Sequence, residues 1–314
     1  MNGSASSFRL SGMSKGPGSI AVVWSRGRGC ASLAEVLGGN QTSKADGDLR
    51  NACIEARADL LVSRSLTSFD LVDVAVPHHF APEKVRNVVA AVAGGPHSSL
   101  ATRIAGYLAR GLGVSGQIVI ASPSDAQDID ARAALAELPS DVAMLPRAIV
   151  RAPSARTLVD TLIPGTLLVL GAPGGSWTQR QFFGPGRKLL FSAPAGAVIV
   201  RSAPRRCFQA AEGASPVGTR LKARDAASII ADQPAMPVAE AGKLVGIIRR
   251  AKLIEADNGA TVGDLMEAPV FLHVDDPIED VPAIANFLSG GPVPIVDHTG
   301  GLFGTISGEP IEIP

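Results

Sequence analysis

The sequence predicts an α/β chain in two parts, an open parallel sheet covered on both faces and a smaller α/β module built on an internal repeat. Three observations predict it. Between residues 86 and 204, short β-branched runs alternate with helical patterns, the signature of parallel strands joined by helices. A stretch with Pro204, Arg205, Arg206 and Gly213 then interrupts the pattern. Beyond it, a strand, a Gly turn and a second strand occur twice, with Gly246 and Gly304 at matching places 58 residues apart. The length of 314 residues suits two domains at about 100–200 residues each.

Residues 1–18, rich in Ser and Gly, read as a flexible tail, and residues 19–85 as a small α/β extension expected against the edge of the following sheet. In that extension SIAVVWS and Leu60–Val62 read as strands, Leu49–Ala58 as a helix and Phe69–Val76 as a further strand closed by PHHFAP. The domain proper, 86–204, opens with the apolar strand ending at Val92 and the loop GGPHSS. Leu100, Ile104, Ala105, Leu108 and Leu112 then fall on one helix face, with Ser98 or Ser99 as N-cap and Gly111 or Gly113 as the stop. QIVIA, Ala148–Val150, TLLVL and AVIV supply four more strands. Asp128–Leu138, Ala155–Leu162 and the stretch from Lys188 supply helices. Residues 205–215 read as a linker, and 216–314 as the repeat. There Arg224–Ile230 precedes the first strand pair and Ile278–Leu288 the second.

Composition excludes more than it assigns. Hydrophobic residues are 46% and charged residues 18%, a core-building balance, where a disordered chain would be poorer in apolar residues and richer in charge. Lys plus Arg equals Asp plus Glu at 29 each, and aromatics are 4%, so neither a chain-wide basic surface nor a stacking platform for nucleic acid is expected. Cys30, Cys53 and Cys207 lie far apart without a CxxC, so no zinc site or disulfide framework is expected. The N-terminus has no long apolar core, and the uncharged run Thr161–Gln179 is broken by Pro164, Gly165, Pro173, Gly174 and Gly175. The expectation is a cytoplasmic protein with neither membrane nor metal among its partners.

The strongest local signal is Gly171-Ala172-Pro173-Gly174-Gly175 directly after TLLVL, with Gly184-Pro185-Gly186 further on. Glycines between a buried strand and a helix let backbone N–H groups approach phosphate oxygens, or serve tight turns only. The passage TLLVLGAPGGSWTQRQFFGPGRKLLFSAPAGAVIVR, together with VVAAVAGGPHSSLATRIAGYLARGLG, resembles a universal stress protein domain. Gly171, Gly174 and Gly184 match that family's nucleotide-binding spacing, while Pro185 stands at its hydroxyl position and Ala93 at its Asp position. The resemblance implies a flavodoxin-like five-stranded parallel sheet and an adenine nucleotide, such as ATP, held by Gly171, Gly174, Gly175, Gly184, Gly186 and the strand end at Val92.

The repeat, carried by MPVAEAGKLVGIIRRAKLIEA, VPIVDHTGGLFGTIS and TVGDLMEAPVFLHVDDPIEDV, resembles a pair of cystathionine-β-synthase (CBS) domains. That resemblance implies an adenosine-containing ligand between the repeats and a homodimer. Of the family's ligand pattern Ser307 is retained. Arg249 and Lys252 stand at the Ser/Thr and Asp places of the first repeat, and Pro310 at the Asp place of the second. Arg249, Arg250 and Lys252 are either phosphate partners or solvated ends of strand and helix.

His78 and His79 read as a packed loop, Asp275-Asp276 as a helix N-cap and Ser124-Asp125 as a turn. No Gly-Lys-Ser/Thr phosphate motif occurs. No catalytic residue is expected. Two functions stay open. One is a non-enzymatic sensor of stress or energy state that binds an adenine nucleotide and regulates an unidentified partner. The other is a dimeric interaction module whose nucleotide pockets have degenerated.

Overall fold

The structure is a computed structural model describing residues 20–27, 29–38, 42–66, 70–138, 145–172, 192–257 and 259–307. The expected tail at 1–18 and the helix from Lys188 lie outside these residues, apart from Ser192 at its end. The described residues divide into two compact units, 20–204 and 205–307.

The first unit runs β1 (Val22–Ser25), α1 (Cys30–Gly38), β2 (Thr42–Ala45), α2 (Leu49–Glu55), β3 (Leu60–Val62) and β4 (Asp73–His78). It continues with β5 (Asn87–Val92), α3 (Pro96–Leu112), β6 (Ser115–Ser122), α4 (Asp128–Ala136), β7 (Arg147–Arg151), α5 (Ala155–Asp160), β8 (Thr166–Gly171) and β9 (Ala197–Arg201). The nine strands form one sheet in the order β2-β1-β3-β4-β9-β8-β5-β6-β7.

Strands β5 to β9 are five parallel strands. Their order is third-second-first-fourth-fifth, which corrects the flavodoxin-like second-first-third-fourth-fifth. Burial gives the reason. β8 is covered along its apolar run and belongs in the interior, whereas β7, with Arg147 and Arg151 exposed, suits an edge. Alternation along the central strands sorts the core. Val88, Ala90, Leu167 and Val169 join the cluster of Ile104 and Leu108 from α3, and Val89, Ala91, Leu168 and Leu170 join Leu158 and Val159 from α5.

The extension at 19–85 is built into the same sheet. Its strands β2-β1-β3-β4 are parallel to one another and repeat the order β6-β5-β8-β9. The two groups meet at one antiparallel pair, β4 with β9, where Val76 lies opposite Ile199. The topology therefore has an approximate two-fold axis through this seam. α1 and α3 pack together beside it so closely that a β-carbon at Gly111 would come 2.5 Å from the Val36 carbonyl oxygen. β4 starts later than expected and takes in Pro77 and His78. His79 has a positive φ of 52°, and a β-carbon at Gly196 would meet the carbonyl oxygens of both histidines, so this is packed backbone.

The second unit carries β10 (Ala235–Glu240) antiparallel to β11 (Lys243–Arg249). It also carries β12 (Leu272–His273) parallel to β13 (Val293–Val296), which pairs antiparallel with β14 (Leu302–Ile306). The repeat begins earlier than its hairpins suggest. Helix Cys207–Ala210 matches helix Val262–Leu265, and each opens with a capping box. Val217 bridges Val238 in parallel as Leu272 pairs with Ile295, and helix Ala223–Ile230 corresponds to Val281–Phe287. The linker expected at 205–215 is thus corrected: Cys207 and Phe208 are fully buried, and Glu212 is bonded to β14. Asp275-Asp276 is corrected too. Asp276 closes a turn by accepting from the His273 N–H at 2.7 Å, and Asp275 faces His298 at 3.5 Å. No helix among the described residues is long and apolar enough to cross a membrane.

Candidate functional site

In the first unit the strand order reverses between β5 and β8, so the crevice at their carboxyl ends is where an open α/β sheet binds ligands. Val92 ends β5 with its side chain buried. Gly171 ends β8 against helix α3, and a β-carbon there would lie 2.9 Å from the His97 β-carbon and 3.0 Å from its carbonyl oxygen. Packing of the first helical turn therefore accounts for glycine at 171. Gly174, Gly175, Gly184 and Gly186, with Pro185, lie outside the described residues.

The loop after β5 satisfies its own backbone. The expected cap, Ser98, sits one turn inside α3, whose N-cap is Gly95 at φ 78°. The Ser98 hydroxyl instead accepts from the Ala93 N–H at 3.1 Å and donates to the Gly94 carbonyl at 2.8 Å. His97 Nδ1 accepts from the Ser202 N–H at 3.1 Å, tying α3 to the chain leaving β9. Burial, with the Arg201 charge second, holds the His97 imidazole below the usual histidine pKa. The exit segment is also held from β4, where the half-buried Asp73 carboxylate accepts from the Ala203 N–H at 2.9 Å and faces Arg103 at 3.8 Å.

The second unit contains a cleft of ≈ 320 Å3 with Ser307 on its wall. Glu212, Ser215, Gln233 and Thr305 add polar groups, while Met236, Pro237 and Pro292 supply apolar contact. Two hydrogen bonds build its floor, from the Glu212 N–H to the Thr305 carbonyl at 2.8 Å and back from the Thr305 N–H to Glu212 at 3.0 Å. Gly304 permits this approach, because a β-carbon there would overlap the Glu212 carbonyl oxygen. No lysine or arginine is among the described residues lining this cleft.

The first repeat has the same floor. Ile247 and Glu267 exchange backbone bonds of 3.1 and 2.8 Å, and a β-carbon at Gly246 would come 2.7 Å from the Glu267 carbonyl oxygen. Side chains differ above it. Arg249, at the place of Ser307, donates from Nε to Glu267 Oε2 at 3.0 Å and from Nη2 to the Phe287 carbonyl at 3.1 Å. Its guanidinium also lies 5.3 Å from the centre of the Phe287 ring. Lys252 Nζ reaches Glu267 Oε1 at 3.1 Å. The Arg249 hydrogen bond, the first of several causes, holds the Glu267 carboxyl below the usual glutamate range. Arg249 and Lys252 are thus ion-paired, and Pro310 lies outside the described residues. The sequence missed Glu212 and Glu267. Each follows a capping-box helix by the same step, and that was the available signal.

No family model matches this chain, and no curated protein does. Solved structures are similar to about a third of it. The cytosolic domain of the Mg2+ channel MgtE in complex with ATP is 19% identical, covering 32% of this chain and 45% of that one at a TM-score of 0.30. CBSX2 in complex with AMP is 23% identical over 30% of this chain and 81% of that one, at 0.27. The CBS-pair protein CBSX2 from Arabidopsis thaliana is 20% identical over 33% of this chain and 88% of that one, at 0.30. The chain spans less than half the length of the first of these. At this level of similarity the ligand has to be read from the cleft itself.

Proposed function

We propose that the protein is a non-enzymatic, ligand-responsive regulator whose second unit binds an adenosine-bearing molecule in the Glu212–Ser307 cleft. The observation that carries this reading is the make-up of the cleft. Its volume of ≈ 320 Å3 lies at the small end of the range of about 300–1,000 Å3 for small-molecule sites, which suits a nucleoside. Met236, Pro237 and Pro292 offer apolar surface to a flat base. Glu212 presents a carboxylate that can accept from both hydroxyls of a ribose, and Ser307, Thr305 and Gln233 add neutral donors and acceptors. The resemblance of this repeat to CBS pairs points to the same ligand class.

Charge narrows the ligand further. With one carboxylate and no cation among the described lining residues, the cleft disfavours a triphosphate and suits a neutral or cationic adenosine derivative. Calorimetry of the whole chain against adenosine, S-adenosylmethionine, AMP and ATP tests this. Binding in that order of decreasing affinity is expected. A preference for ATP, or no heat with any of the four at millimolar concentration, overturns it. The alternative of an interaction module with degenerate pockets draws on one feature, the occupied position between Arg249 and Glu267 in the first repeat.

A further inference from the structure

The two repeats share a floor and differ in what stands on it. On one side Glu212 and Ser307 border open space, and on the other Arg249 spans from Glu267 to the carbonyl end of helix Val281–Phe287. Three interactions hold the Arg249 side chain at once, namely a carboxylate, a carbonyl and an aromatic face, and Lys252 grips the other carboxylate oxygen of Glu267. The Arg249 and Glu267 side chains retain 25% and 29% of their exposure, so the pair is partly withdrawn from water and weakly screened. Serine at 307 is too short to make such a span.

We propose that Arg249 and Glu267 form a built-in plug that makes the two-repeat module take one ligand per chain rather than two. The inference rests on the reading of the Glu212–Ser307 cleft as a nucleoside site, and it assigns these residues the opposite role in the related position. A bound nucleoside there would have to break the Arg249–Glu267 bond and supply partners for both groups, whereas on the Glu212 side a cleft already stands open.

The test counts sites on the full chain by calorimetry with adenosine, with circular dichroism and melting to check each variant's fold. Wild type is expected to take one adenosine. Arg249→Ser, which gives the first repeat the side chain found at 307, is expected to take two. Ser307→Arg, which builds the same span opposite Glu212, is expected to take none. A folded Arg249→Ser protein that still takes one, or a wild type that takes two, overturns the plug. If wild type takes none and Arg249→Ser takes one, the plug stands and the function proposed for the Glu212 cleft falls. If neither binds, both fall. Should Arg249→Ser fail to fold, Ser307→Arg decides, because retention of one site in that variant overturns the plug.

Discussion

Glu212 and Glu267 occupy one place in the two halves of the repeat, each exchanging a pair of backbone hydrogen bonds with the strand residue after a glycine, Thr305 in one case and Ile247 in the other. The backbone treats them as equivalent, yet their carboxylates face different company. Glu267 meets Arg249 and Lys252, whereas Glu212 lies on a cleft with no described cation.

Removing the Glu212 carboxylate therefore weakens nucleoside binding without unfolding the unit. A charge-assisted hydrogen bond is worth about 1.5–3 kcal/mol, so Glu212→Ala is expected to raise the Kd for adenosine by about 10- to 150-fold. The same substitution should have little effect on 2′,3′-dideoxyadenosine, which lacks the hydroxyls. Equal losses for the two ligands in calorimetry would place the ribose elsewhere.

The glycines under the two glutamates are structural. Gly304→Ala and Gly246→Ala each drive a methyl group into a carbonyl oxygen of the neighbouring segment, a clash with backbone that no rotamer relieves. Overpacking of this kind costs about 1–3 kcal/mol, so urea unfolding should show a lower midpoint for both variants. Gly242→Ala has open space around its β-carbon but a φ of 78°, and it should lose about 1 kcal/mol through strain alone.

Acid should loosen the His97 tie. Burial disfavours the charged ring and holds the folded-state pKa of His97 below the usual histidine value. Folding thus favours the neutral form. The contribution is present in full above the unfolded pKa and is lost as pH falls through that value toward the folded one. Protonation also removes the acceptor at Nδ1 that holds the Ser202 N–H. Melting temperatures of wild type are expected to fall faster than those of His97→Gln between pH 7 and pH 5.5. Parallel pH profiles for the two proteins would remove His97 as the cause.

The three cysteines should be slow to react. Burial pushes the thiols of Cys53 and Cys207 up to about 12 and raises that of Cys30, so little thiolate exists at neutral pH. Iodoacetamide at pH 8 is expected to label the native chain at none of them within minutes and all three in denaturant. Fast labelling of native Cys207 would show that helix Cys207–Ala210 opens readily, contrary to its complete burial.

How far the sequence reached depends on the element. The parallel strands from Asn87 to Arg201 were legible because each is a continuous apolar run flanked by helical spacing. Their order was harder, since neighbours in a sheet are chosen by burial across strands, which a one-dimensional pattern does not encode. The hairpin glycines at 246 and 304 revealed the repeat. Its beginning escaped because Cys207–Ala210 is a single helical turn, too short to show a period. The plug was read only in part. Arg249 and Lys252 stood out as charges where the CBS resemblance places polar and acidic groups, but their partner Glu267 lies fifteen or more residues away, and nothing in the one-dimensional pattern pairs it with them. Three- and four-residue strands such as β1 and β3 carry too little alternation to announce that they belong to a larger sheet.

The antiparallel seam between β4 and β9 has a consequence for assembly. Two parallel groups of like order, back to back across a two-fold axis, are the arrangement that two separate chains would need to find each other to build. Here residues 79–86, between β4 and β5, keep both groups on one polypeptide, so forming the seam is a first-order event, independent of how much protein is present. Dilution cannot part these halves. A second copy of the chain also cannot enter at that place, because the hydrogen-bonding edges of β4 and β9 are already spent on one another. Among the described strands, β2 and β7 stand at the outer edges of this sheet.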